Sequence, residues 1–185
     1  MDSQNDLLLH KLMEFYNKEN NLDKMLKIIN GESRISLRIV DWFSTNYAKK
    51  NVTTYDTATC PRFKVYNDYK LKLKAYSKRR FDPFCRWDRI KMPFGNKEYS
   101  IETTIGQLNF FKWAIENKII KFIEENYSVI EQDMNLNNSV SKNKKHNDSL
   151  ENIKSSTSRK RREELSISAG KCLKKESFEV VLKFV

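Results

Sequence analysis

Apolar residues recur at three- or four-residue intervals along the first thirty positions. Leu8, Leu12, Phe15 and Tyr16 form one series, and Leu22, Met25, Leu26 and Ile29 form a second beyond the polar run NKENN. That interval is the period of an amphipathic helix, so a pair of helices is predicted over residues 6–30. Asp6 and Asn21 are candidate caps, and Gly31 is placed to end the second helix. In SRISLRIVDWFSTNYAKKN two periods compete. Ile35, Leu37 and Ile39 alternate as in a strand, whereas Leu37, Val40, Phe43 and Tyr47 follow a helix. The helical series spans more turns and is preferred, with Ser36 as its cap. NVTTYDTATCPR is predicted to be a loop stopped by Pro61.

The stretch FKVYNDYKLKLKAY is ambiguous in the same way. As a strand it puts Tyr69, Leu71, Leu73 and Ala75 on one face and Lys70, Lys72 and Lys74 on the other. As a helix it aligns Val65, Tyr69, Leu73 and Tyr76, and only Leu71 is left off the apolar face. Helix is preferred, ending by Asp82 because Pro83 disfavours helical geometry in the residue before it. Ile90, Met92 and Phe94 alternate, as do Tyr99, Ile101 and Thr103, on either side of Gly95-Asn96. This is a β-hairpin pattern, and Pro93 marks its strand as an edge or a bulge. Ile105, Leu108, Phe111, Ile115, Ile119, Phe122, Ile123 and Tyr127 then trace one apolar stripe. They predict a single helix from Ile105 to about Glu131, capped by Thr103-Thr104 and nearly 40 Å long.

Residues 133–162 lack aromatics and are mostly Asn, Ser and Lys. Such a segment buries too little surface to offset its ordering entropy, so a disordered basic linker is expected. Beyond it SFEVVLKFV alternates Phe178, Val180, Leu182 and Phe184 on one face, as a strand. It would return to the hairpin sheet or pair with another chain. The expected fold class is α+β: a helical N-terminal pair and a long central helix packed on a small antiparallel hairpin sheet, with a disordered linker and a C-terminal strand. The organisation is residues 1–132 as the globular domain, 133–162 as linker and 163–185 as a β segment.

Composition changes the picture mainly through charge. The chain of 185 residues carries +11 at neutral pH, which favours polyanionic partners. Three cysteines, Cys60, Cys85 and Cys172, make no disulfide framework and indicate a reducing compartment. No apolar run approaches the roughly 18 residues of a membrane span, and the first residues lack the basic region of a signal peptide. The expectation is an intracellular protein without a membrane partner.

Candidate chemistry is sparse. His10, His146 and the cysteines are scattered without ligand spacing, so no metal site or cofactor is assigned. Arg86 beside Cys85 would lower its thiol pKa, but no base is placed to work with it. Walker, GxSxG and GxGxxG motifs are absent. Asp82 and Asp88 lie among arginines and read as ion-pair partners. Gly106, at the start of a helix, reads as a close-packing position. No catalytic residue is assigned and a non-enzymatic role is expected.

The window Arg62–Lys91 holds eleven basic and three acidic residues, a net +8, together with seven aromatics. Lys and Arg neutralise phosphates, and exposed aromatics stack on unpaired bases. The candidate nucleic-acid contacts are Lys70, Lys72, Lys74, Lys78, Arg79, Arg80, Arg86 and Arg89, with Tyr76 or Trp87 stacking. The competing reading makes the aromatics core and the lysines their solvated neighbours. It suits Tyr69–Tyr76 well and SKRR less well, which leaves SKRRFDPFCRWDRI as the sharper candidate, a basic loop. Arg159, Lys160, Arg161 and Arg162 form a second cluster, suited to nuclear targeting or an electrostatic arm.

The segments RISLRIVDWFSTNYAKKN, FKVYNDYKLKLKAYSKRRFDPFCR and TTIGQLNFFKWAIENKIIKFIE, spanning about residues 34–125, resemble a family of small basic uncharacterised proteins of large nucleocytoplasmic DNA viruses. The Lys- and Asn-rich linker suits an AT-rich viral genome. The resemblance implies a viral protein of the host cytoplasm or nucleus, or of the virion, and carries no catalytic motif. The expected function is association with DNA or RNA. The alternative is a virion structural or assembly protein that binds an acidic viral protein or self-associates through its C-terminal strand.

Overall fold

A computed structural model describes residues 3–18, 20–94, 99–148 and 176–177. Helices α1 (Ser3–Tyr16) and α2 (Asn21–Ile29) form the expected N-terminal pair. Their caps differ from expectation. Asp6 lies inside α1, and Asn20 rather than Asn21 holds the cap position of α2, while the Asn21 amide donates to the Phe15 carbonyl. Gly31 does end α2, with φ of 75°, a conformation that costs glycine little.

The helical reading of the next segment holds. Ser36 accepts a hydrogen bond from the Ile39 amide and starts α3 (Leu37–Trp42), which continues through a π-helical turn (Phe43–Tyr47) into α4 (Ala48–Lys50). The stretch expected to be all loop contains β1 (Thr54–Tyr55), paired antiparallel with β2 (Phe63–Lys64). Tyr55 packs on Phe63, which draws two distant residues into a ladder that no local alternation announces.

Helix α5 (Val65–Arg80) confirms the helical choice for the lysine-rich stretch. Val65 is buried, and Tyr69, Leu73 and Tyr76 pack against the core on one face. Leu71, the residue that fitted a strand alone, is 65% exposed. The hairpin forms from β3 (Arg89–Phe94) and β4 (Tyr99–Thr104), with Pro93 opposite Ser100. β3 lies at a sheet edge, where the missing proline N–H costs no ladder bond. Of the expected C-terminal strand only Ser177 falls among the described residues, and with Glu176 it forms β5 (Glu176–Ser177), antiparallel to Tyr99–Ser100 of the same chain. Phe178, Val180, Leu182 and Phe184 lie outside the described residues.

The single long helix is in fact three: α6 (Ile105–Glu116), α7 (Ile119–Glu125) and α8 (Tyr127–Asp148). Lys118 adopts a left-handed conformation between the first two. At each break an asparagine amide, Asn117 or Asn126, donates back to the carbonyl four residues earlier. The stripe keeps its phase through both breaks, so periodicity alone did not reveal them. Bending lets Ile119, Ile123 and Ile130 all reach one core, which a straight rod of nearly 40 Å would overshoot. Helix α8 runs on to Asp148, so residues 133–148, expected to be linker, are helical. Met134 is buried, and Asp133 accepts from the Trp42 indole at 3.0 Å and from the Lys50 ammonium at 2.6 Å. These contacts tie the segment to α3 and α4 and supply the burial its own composition lacks. Residues 149–162 lie outside the described residues.

Candidate nucleic-acid interface

The first part of the segment that joins α5 to the hairpin is built as core, and Arg86, Trp87 and Asp88 that follow are exposed. Phe81, Asp82, Pro83, Phe84 and Cys85 are all buried. Phe81 packs against Phe110 at 5.2 Å and Trp113 at 5.4 Å between ring centroids. Burying each phenyl ring stabilises by about 1.5–3 kcal/mol, which outweighs any preference of the flanking charges for an open loop. The first turns of α6 grip this segment. The Asp82 amide donates to the Gly106 carbonyl at 3.2 Å, the Gln107 amide to the Pro83 carbonyl at 2.9 Å, and the Asn109 amide to the Arg80 carbonyl at 2.9 Å. A Cβ added at Gly106 would stand 2.9 Å from the Arg79 carbonyl oxygen. Gly106 is therefore the close-packing position its placement suggested.

The basic loop is thus buried over Phe81–Cys85, while Arg79, Arg86 and Arg89 remain exposed and take partners within the fold. Arg86 donates Nε and Nη2 to Asp82, whose side chain is 3% exposed. That hydrogen bond raises the Arg86 pKa against the opposing effect of burial. Arg79 pairs with Asp88, and Arg89 reaches Glu102 at 3.3 Å across the hairpin. Arg80 donates to Gln4 Oε1 at 3.3 Å. These side chains are already held by partners within the fold.

The lysines behave differently. Lys70, Lys74 and Lys78 are exposed and Lys72 is half-buried, and none of the four makes an ion pair among the described residues. Ser77 breaks the helix, at φ 60° and ψ 170°, so Lys78 does not continue the row of Lys70 and Lys74 in phase. The triple lysine alternation is split as well. At 100° per residue Lys70 and Lys74 share one face, and Lys72 lies on the opposite side, so these positions do not make one continuous patch.

Six of the seven aromatics in the window pack against the core. Tyr76 stacks on Phe81 with centroids 6.4 Å apart, and burial, with the nearby Asp41 and Asp82 charges, pushes Tyr69 up to about 12. Trp87, 44% exposed, is the aromatic open to a partner. Arg159, Lys160, Arg161 and Arg162 lie outside the described residues, as does Cys172. Cys60 is exposed and Cys85 buried. His10 stands 3.4 Å from Glu14 on the exposed side of α1. Among the described residues no three His, Cys, Asp or Glu side chains converge as a metal site. Among the same residues no helix is long and apolar enough to cross a membrane.

Sequence reasoning missed Lys11 and Lys112, which α1 and α6 bring beside Lys72 and Tyr76. Nothing local marks Lys11. The i, i+4 pair Lys72 and Tyr76 was the legible half of that arrangement.

The chain belongs to a family of unknown function, DUF7197, whose model matches residues 1–181. It is 48% identical over 139 residues to uncharacterized protein L507 of Acanthamoeba polyphaga mimivirus, an alignment covering 71% of this chain and 54% of that protein. The chain thus spans about half the length of the curated relative it matches. No solved structure matches it.

Proposed function

We propose that this member of the DUF7197 family is a non-enzymatic protein that associates with nucleic acid, DNA or RNA, by holding phosphates on the outward face of α5. The observation that carries the reading is the unequal fate of the cations. Arg79, Arg86 and Arg89 are each engaged by a carboxylate, whereas Lys70, Lys74 and Lys78 are exposed without an ion pair among the described residues. Lys70 and Lys74 stand about 6 Å apart along the helix axis and repel each other at a few tenths of a kcal/mol. A polyanion turns that cost into attraction through counterion release. Exposed Trp87 offers a ring for an unpaired base. Similarity to a mimivirus protein supports a site of action inside an infected cell, in cytoplasm or nucleus, or in the virion.

The test is binding to single- and double-stranded DNA and RNA across a salt titration. Affinity should fall with salt, and the variant Lys70→Ala/Lys74→Ala/Lys78→Ala should lose about two to three units of the log–log slope. The reading fails if the protein binds none of these at low salt, or if the triple variant binds as well as the parent.

A second reading is favoured by Leu71, whose apolar side chain lies exposed between Lys70 and Lys74. A face that is basic and apolar together fits an acidic amphipathic segment of a protein partner, and the protein is then a structural or assembly component. Leu71→Ser separates the two: it weakens capture of such a partner and leaves nucleic-acid affinity unchanged.

A further inference from the structure

Lys72 is half-buried on the side of α5 that faces α1, one turn before Tyr76. Leu8 and Lys11 of α1 stand across from it, and Asn109, Lys112, Trp113 and Glu116 of α6 form the floor. Together they enclose a cleft of about 140 Å³. Sites for drug-sized ligands and cofactors run to roughly 300–1,000 Å³, so this cleft is too small for a nucleotide cofactor. It has room for a group the size of a few water molecules, each of about 30 Å³.

The polar groups of the cleft divide into committed and uncommitted ones. Lys112 pairs with Glu116 and lies over the Phe15 ring, which neutralises the one carboxylate on the lining. The Asn109 and Asn117 amides donate to the Arg80 and Trp113 carbonyls. Lys11, Lys72 and the Tyr76 hydroxyl make no hydrogen bond or ion pair among the described residues. Exposed Lys11, half-buried Lys72 and Tyr76, all with donors to offer, thus line one small cleft whose single acid is already paired. Two lysines on the rim of one cleft repel, and an anion held between them removes the repulsion.

We propose that this cleft is a binding site for a single phosphate group, with Lys11 and Lys72 as its charged donors and the Tyr76 hydroxyl as its neutral one. The phosphate is inorganic or stands at the end of a strand. The site is separate from the outward face of α5, because Lys72 lies on the opposite side of the helix from Lys70 and Lys74.

The test titrates inorganic phosphate into the full chain at constant ionic strength, followed by calorimetry, with thermal unfolding of every variant recorded alongside. Saturable binding is expected. It should weaken about tenfold or more in Lys11→Gln/Lys72→Gln, the loss expected for two charge-assisted hydrogen bonds, and less in Tyr76→Phe. Lys70→Ala/Lys74→Ala should bind phosphate as the parent does. A parallel arm compares short oligonucleotides with a 5′-phosphate and a 5′-hydroxyl. Preference for the phosphate assigns the site to a strand end, and equal binding with retained affinity for inorganic phosphate assigns it to the free ion. The proposal is overturned if phosphate does not saturate the parent, if a folded Lys11→Gln/Lys72→Gln protein binds it undiminished, or if Lys70→Ala/Lys74→Ala loses it equally. Because this readout bypasses the outward face, it can fail while the nucleic-acid reading stands, and the reverse holds too.

Discussion

Arg86 closes a two-bonded ion pair on Asp82, with Nε 2.7 Å from Oδ2 and Nη2 2.8 Å from Oδ1. Asp82 also accepts from the Phe84 amide at 3.1 Å, so one buried carboxylate organises the turn between α5 and the hairpin. Removing one partner of such a pair leaves the other without its compensation. Asp82→Ala should cost about 2–4 kcal/mol in denaturant unfolding, by loss of the pair and of the amide bond. Arg86→Ala should also destabilise, and it should leave nucleic-acid affinity in the folded fraction unchanged. A phosphate-binding Arg86 would give the opposite pattern.

Gly106 admits no side chain without movement, because its Cβ would press on the Arg79 carbonyl oxygen, a backbone atom. Gly106→Ala gains helix propensity of about 1 kcal/mol but forces α6 away from α5. The net expectation is destabilisation of about 1–3 kcal/mol, read as a lowered midpoint in chemical denaturation.

Ser77 sits at φ 60° inside the helical run, in a conformation that disfavours a side chain. Ser77→Gly should raise stability by about 0.5–1 kcal/mol, with no loss of helical circular dichroism. If instead the substitution destabilises the protein, Ser77 does not carry backbone strain.

Asp133 joins α8 to α3 and α4. Burial pushes its pKa up, but the hydrogen bonds from Lys50 and Trp42 and the Lys50 charge outweigh it, and the group lies below its ordinary value of 3.8. A depressed carboxylate contributes stability that is present above the unfolded pKa and lost as pH falls through the folded one. The melting temperature should therefore drop below about pH 4, and Asp133→Asn should lower it at pH 7 while flattening the acid limb.

Lys74 and Arg86 separate charge that is open to a partner from charge that is used. Lys74→Ala should reduce the slope of log affinity against log salt by about 0.7–0.9, whereas Arg86→Ala should not change it. Equal effects from the two would mean that the ion pair with Asp82 opens on binding.

Much of this could be read in the chain before folding was considered. The helical pair, the Ser36 and Thr104 caps, the hairpin around Pro93 and the close packing of Gly106 all rest on local rules of period, capping and steric fit. The Asp82 and Asp88 ion pairs followed from their arginine neighbours. Charge counted along the chain says less about burial. SKRRFDPFCRWDRI reads as a basic loop, and composition does not register that Phe81, Phe84 and Trp113 share one core.

By itself, then, the sequence determined the N-terminal helices, the helical state of α3 and α5 and the β3–β4 hairpin, because these depend on neighbours a few residues away, and it set the net positive charge outright. It did not determine where the stripe from Ile105 onward would bend, that Asp133 would anchor α8, or which cations would remain open. Those outcomes depend on contacts such as Asp133 with Lys50, 83 positions apart, and Tyr16 with the Leu108 carbonyl, 92 apart. Once α5 is a helix, Lys70 and Lys74 face out and Lys72 lines a cleft that Lys11 of α1 also lines. Pairs along the chain are fixed by spacing, and pairs across it are fixed by packing.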